Sequence, residues 1–266
     1  MRTNTLQENQ PIKFFLLALL LTTPFLLLGG KKLPLPVNLP GSALMFIGLL
    51  LAALILSYRQ DGMRGVKELV KRAFDYKKIK NKAWYIPILL LSPVIYFLSY
   101  VAMRLMGLPL PDPNVPILLA LPLFLAFFSE AVFEELGWMG YALDPMQKRW
   151  GALKAGIILG LAWQIWHIIP DIQAGYTASW IFWHDLQGVA LRILMVWIYN
   201  NTGKSVFSSV LVHAVDNVSW AMFPNFGSGY DPFFTAIFTC LAAGIAIIGW
   251  GPKTLAQYRH ASTGQI

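Results

Sequence analysis

The chain has 266 residues, 56% of them hydrophobic, 14% aromatic and only 13% charged, with a mean hydropathy of +0.55. That is too apolar and too poor in charge for an ordinary soluble domain; it describes an all-α, polytopic transmembrane helix bundle. The formal net charge of +8 comes without a basic groove interleaved with aromatics, so nucleic acid is not an expected partner and membrane lipid is. The single cysteine, Cys240, lies in the last apolar run and excludes an intrachain disulfide or a thiolate metal site of its own.

At about 20 apolar residues per crossing, this length allows about eight spans joined by short loops, with no room for a separate soluble domain. The first thirteen residues are polar, with Arg2 and Lys13, and Phe14 to Gly30 is apolar. This charge layout is that of a signal sequence, but no small-residue cleavage site follows, so the stretch is expected to be the first span. Lys31 to Pro40 is a proline-rich loop and Ser42 to Tyr58 the second span. Residues 59–82 then carry Arg59, Arg64, Lys67, Lys71, Arg72, Lys77, Lys78, Lys80 and Lys82 with apolar residues between them. This pattern predicts a basic amphipathic helix lying on an anionic cytoplasmic leaflet.

Trp84 to Met103 is the third span, with Pro93 inside it, and Leu108 to Pro116 is a second proline-rich loop. Ile117 to Trp138 is the fourth span, ending in an acidic cluster; Ala152 to Ile169 is the fifth, stopped by Pro170. Gln187 to Tyr199 with its flanks is a short sixth span, Ser205 to Phe223 the seventh and Phe233 to Trp250 the eighth. With the N-terminus inside, Lys and Arg gather on the inner side, against Lys31, Lys32 and Arg104 outside. Both termini are therefore expected in the cytoplasm. No internal repeat of the kind found in secondary transporters is visible.

The informative residues are those a membrane span should not contain. Glu130, Glu134 and Glu135 fall within six positions, and a charge at the centre of a membrane helix costs about 2.5–3.5 kcal/mol even on the mildest scale. His167, Arg192, His213, Asp216 and Asn217 join them. Such groups face the bundle interior and mark a pathway or a site. Glu130 and Glu134 share a helix face, as do Trp163 and His167, and His213 and Asn217, whereas Glu135 is turned about 100° from Glu134. The two adjacent glutamates therefore cannot do the same job. His184 and His260 fall in an expected loop and in the tail, where a histidine needs no explanation.

The elements Glu134-Glu135-Leu-Gly-Trp-Met139, Trp163-Gln-Ile-Trp-His167 and His213-Ala-Val-Asp-Asn217, in this order on three apolar helices, resemble the CAAX-protease and bacteriocin-processing (CPBP, or Abi) family of intramembrane proteases. The resemblance covers roughly Pro116 to Trp220. It divides one structural unit into N-terminal spans (1–115), a catalytic core of CPBP type (116–222), and a last span with its tail (223–266). It implies an endopeptidase that cleaves a membrane-associated substrate, either a CAAX-like prenylated protein or a leader-type peptide. Glu134 and His167 would activate water, His213 and Asn217 would bind the oxyanion, and Glu135 would support Glu134. Trp163, Arg192 and Glu130 are expected in supporting roles.

Where the family has an arginine, this chain has Met139, which leaves Glu135 without its local counter-charge. Arg192 is the expected substitute, the alternative being a change in the protonation of Glu135 itself. Zinc on Glu134, His167 and His213 is the metal-dependent variant of the mechanism. A metal-free glutamate mechanism is favoured because no His-Glu-x-x-His helix is present. The competing function classes are a catalytically inactive relative acting as an immunity or membrane-assembly partner, and a transporter using the carboxylates as a proton relay. Short loops and a compact chain suggest a bacterial plasma membrane.

Overall fold

A computed structural model describes residues 10–27, 29, 40–112, 117–224, 226, 227 and 229–256. Arg2, the loop residues 30–39 with Lys31 and Lys32, residues 113–116, Arg259 and His260 lie outside the described residues. The described residues form helices α1 (Gln10–Leu26), α2 (Phe46–Arg72), α3 (Tyr85–Leu105), α4 (Ile117–Glu135), α5 (Leu143–Trp150), α6 (Ala152–Gln173), α7 (Ala178–Asn201), α8 (Val206–Met222) and α9 (Pro232–Trp250). A π-helical segment, Leu136–Ala142, joins α4 to α5, and short 3-10 turns precede α2 and α3.

Six helical stretches are long and apolar enough to cross a membrane: Gly41–Arg72, Lys82–Leu105, Ile117–Trp150, Ala152–Gln173, Ala178–Asn201 and Pro232–Trp250. The remaining two expected spans, α1 and α8, are helices of 17 residues each. The surface is inverted relative to a soluble protein. Leu16, Leu20, Ile86, Phe97, Leu118, Leu121, Ile165, Ile245 and Ile248 are exposed while Glu134, Glu135, Arg192 and His213 are buried. Apolar surface on this scale needs a hydrocarbon environment, and the chain is an integral membrane protein.

Four expectations change. The fourth span does not end at the acidic cluster, since helix continues through the π segment and α5 to Trp150, which moves Glu130, Glu134 and Glu135 to mid-span. Small residues permit this continuation: a β-carbon at Gly137 would stand 2.8 Å from the Phe14 ring. Pro170 does not stop α6, which runs on to Gln173; a helix interior absorbs a proline where neighbouring groups take over the freed carbonyl.

The sixth span is not short. It begins at Ala178, capped by Thr177, whose hydroxyl accepts from the Trp180 amide. His184 is therefore half-buried on a helix rather than placed in a loop. Within residues 59–82 the helix is shorter than expected: it follows the second span across a break at Asp61 and Gly62, where Gly62 takes φ 61°, a conformation open mainly to glycine, and it ends at Arg72. Arg72 then turns inward, donating to the Gly140 carbonyl in the π segment and, at 2.6 Å, to the Tyr199 hydroxyl.

The interface that builds the site is the seam between α6 and α7. Gly156 and Gly160 let α7 approach closely, and a β-carbon at Gly160 would lie 3.0 Å from Val189 Cα and 3.2 Å from Arg192 Cβ. Small residues four apart are how membrane helices gain packing where water supplies no hydrophobic drive between them. Farther along, the side chain of Gln164 fills the space over Gly188, where a β-carbon would stand 1.5 Å from its Nε2. Beyond that, Asp171 meets His184. His184, Gly188 and Arg192 form a single stripe of α7, four residues apart, that faces α6 along its length.

Candidate active site

The two adjacent glutamates diverge as their 100° offset requires. Glu135 is fully buried. Its Oε2 accepts from Arg192 Nη1 at 2.6 Å, and its Oε1 lies 2.8 Å from His213 Nδ1. Arg192 is buried as completely and lays its guanidinium over the Trp163 ring, 4.1 Å from the centroid. The aromatic face gives the cation a partner where Nε and Nη2 have no hydrogen bond. Arg192 thus occupies the place of counter-charge that Met139, itself fully buried among apolar neighbours, cannot fill.

Glu134 points elsewhere. Its Oε2 accepts from the indole N–H of Trp163 at 2.9 Å and from that of Trp138 at 3.4 Å. Trp163 therefore gauges the whole centre: its N–H holds Glu134, its face holds Arg192, and its ring meets those of His167 and His213 at 5.4 and 5.3 Å. Its backbone carbonyl also lies 2.8 Å from His167 Nδ1. A carbonyl only accepts, so Nδ1 carries the proton there and Nε2 of the neutral ring keeps the lone pair.

His213 is fixed in the same sense, but by a charged acceptor. Its Nδ1 donates to the Glu135 carboxylate, which leaves Nε2 as the ring nitrogen that can act elsewhere. One turn on, Asn217 Nδ2 donates to Glu130 Oε2 at 3.2 Å, so Glu130 is joined to the site through the amide.

These groups open on one cavity. Glu130, Trp163, His167, His213, Asp216 and Asn217 line it, together with Gln164, Gly188, Asp171 and His184 from the seam. The structure brings every sequence-selected site residue into one contiguous assembly, with Glu134 and Glu135 bonded to the lining residues Trp163 and His213, and Arg192 paired with Glu135. Asp171, His184, Asp185, Gln164 and Arg72 were not anticipated. A Gly-x-x-x-Gly pair at 156 and 160 was the readable signal for the seam that carries the first four. Arg72 was hidden in a run of surface-type basic residues.

The metal question can be put to the donors themselves. Among the described residues, the trio at this centre whose ligand atoms all lie within 4.8 Å of one another is Glu134, Glu135 and His213, not Glu134, His167 and His213. Glu135 has both oxygens engaged by Arg192 and His213, and His213 Nδ1 is engaged by Glu135. A cation on this trio would have to displace the buried arginine pair, so the donors fit a metal poorly.

Residues 114–219 match the family described as type II CAAX prenyl endopeptidase Rce1-like. The chain is also 27% identical over 202 residues to CAAX prenyl protease 2 of Methanococcus maripaludis, an alignment that covers 69% of this chain and 70% of that protein. The matched stretch contains the Glu134, His167 and His213 elements and the arginine that pairs with Glu135. Through this core the chain is similar to the CAAX-protease and bacteriocin-processing family of intramembrane proteases.

Proposed function

We propose that the protein is an endopeptidase that hydrolyses a peptide bond of a membrane-associated substrate, of CAAX or leader type, by a water activated between Glu134 and His167. The observation that carries this reading is the pair of Nδ1 tethers on the two histidines, one to a neutral acceptor and one to a charged acceptor. His167 is held through Nδ1 by a carbonyl and His213 through Nδ1 by a carboxylate, and both line the cavity. One ring is thereby set to take a proton through Nε2, while the other can give one when it carries two.

In this mechanism Glu134, anchored through Oε2 by two indoles, uses its other oxygen to orient the water. As the water oxygen bonds to the scissile carbonyl carbon, its proton passes to the Glu134 and His167 pair. The carbonyl π electrons move onto oxygen, and His213 Nε2–H and the second N–H of Asn217 donate to that oxyanion. The same proton then goes to the departing amine as the C–N bond breaks. Arg192 and Glu135 hold His213 and touch neither substrate nor water. No step in this sequence needs a metal, and the chemistry is assigned to side chains alone.

The test is cleavage of a lipid-tethered CAAX-type peptide and of a leader-type peptide by purified protein in proteoliposomes. Turnover of either substrate by the wild type, lost in Glu134→Gln and His167→Ala, is expected. Equal turnover by Glu134→Gln would sink the mechanism. Retention of a cellular phenotype in both variants would point instead to a partner protein without catalysis.

A further inference from the structure

The outer end of the α6–α7 seam carries a cluster that the hydrolytic mechanism does not use. Asp171, near the end of α6, faces His184 and Asp185, adjacent residues in the first third of α7, and their ligand atoms lie within 4.8 Å of one another. Asp171 is 9% exposed. Asp171 Oδ2, His184 Nδ1 and Asp185 Oδ1 are each buried atoms without a hydrogen-bond partner. Asp171 Oδ2 and His184 Nδ1 stand 3.4 Å apart, in ion-pair range but out of hydrogen-bond alignment. The His184 ring is fixed from the side by Trp180, with centroids 4.7 Å apart. Trp180 in turn stacks on Tyr176 at 3.6 Å.

Two carboxylates and an imidazole that converge without a hydrogen bond on these three atoms are in a costly state. Leaving a buried polar group unsatisfied costs about 1–3 kcal/mol, more when it is charged. Two carboxylates drawn together repel, and a cation between them relieves that repulsion. A nitrogen with two carboxylate oxygens is a donor set that suits zinc and other divalent first-row metals, at ligand distances of about 2.0–2.2 Å.

We propose that Asp171, His184 and Asp185 bind one divalent transition-metal ion, of the zinc class, at the outer end of the cavity. The ion ties the end of α6 to the first turns of α7 across the four-residue connection that joins them. Asp171 and His184 both line the cavity, so a coordination position left open by the three protein ligands faces its interior. This site is separate from Glu134, Glu135 and His213, and the proposal does not depend on the protease reading.

The test uses the full chain in detergent, stripped with a chelator and then reloaded with Zn2+ alone. Metal content is measured by inductively coupled plasma mass spectrometry after desalting. The wild type is expected to retain one equivalent, the Asp171→Asn/His184→Ala double variant none, and Glu134→Gln one. Uptake of no zinc by the wild type, or one equivalent kept by the double variant, overturns the proposal. Loss of the equivalent in Glu134→Gln also overturns it, because the ion would then belong to the inner centre.

Melting temperature supplies a second readout in case the double variant folds poorly. Chelation should lower it in the wild type and leave it unchanged in Asp185→Asn, whose side chain is only partly buried; an equal drop in both counts against the site. Peptide cleavage separates this question from the mechanism. Turnover that survives in chelated Asp185→Asn leaves the metal-free reaction standing, whatever the zinc measurement gives.

Discussion

The two ends of the α6–α7 seam hold similar groups in opposite conditions. At the inner end Glu135, Arg192 and His213 close on one another, with a guanidinium on an aromatic face and both carboxylate oxygens engaged. At the outer end Asp171, His184 and Asp185 converge with three atoms that have no hydrogen bond. A closed network has one arrangement and suits fixing the orientation of a neighbour, here the His213 ring. An open one is incomplete without something from outside. Buried charge by itself therefore does not identify a reacting centre; both Glu135 oxygens are engaged at the inner end, while Asp171 Oδ2 and Asp185 Oδ1 have no hydrogen bond at the outer end.

The contrast can be broken most severely at Glu134. If it orients the attacking water, Glu134→Ala loses cleavage of the tethered peptide by at least the ~10²–10⁴-fold typical of a general base, with the melting temperature near wild type. A variant that instead unfolds would make Glu134 part of the closed network. Next in size is Arg192→Leu, which leaves the buried Glu135 carboxylate with the His213 ring but without its guanidinium partner. The expected loss is about 3–5 kcal/mol of stability, read from a melting curve in detergent. Met139→Arg in that background should restore part of it if position 139 can serve Glu135; a double variant as defective as Arg192→Leu counts against a shared role.

Midway along the seam, Gly188→Ala forces a β-carbon into the space of the Gln164 amide. A cost of about 1–3 kcal/mol is expected from overpacking, relieved in the Gln164→Ala/Gly188→Ala double variant. If thermal melts show the double variant no better than the single, the contact is not what limits this position. The smallest expected effect on catalysis is at the outer end. Asp171→Asn should change peptide turnover under saturating substrate by less than about twofold, because it lies outside the reacting groups and surface-independent substitutions of this kind act through stability first. A large fall in the saturated rate would join the two ends into one functional unit.

Much of this was legible from the chain. Apolar runs placed the helices because lipid demands length and hydrophobicity of every span. Intramembrane charges placed the site because they are too costly to be idle. The Glu135–Arg192 pair was one of two alternatives raised by the family resemblance, which puts an arginine where this chain has Met139. The start of α7 was missed because His184, Asp185 and Gln187 dilute its hydropathy, although Thr177 is a serviceable cap and the residues between are aromatic. Pro170 misled because a proline predicts a break only where its freed carbonyl has no other partner. The π segment has no periodicity of its own to read; it depends on contacts such as Phe14 against Gly137, which come from a helix more than a hundred positions away.

The notch formed by Gln164 and Gly188 has a consequence for how this sequence can change over generations. A β-carbon at 188 has no room while the amide at 164 is present, and shortening 164 alone opens a hole beside the cavity. Neither position can drift independently, so substitutions there should be inherited as a matched pair, one growing as the other shrinks. Neighbouring lipid-facing residues such as Ile165, which is 65% exposed, are free to exchange among apolar types, so a set of related sequences should show 164 and 188 covarying against a background of loosely varying neighbours.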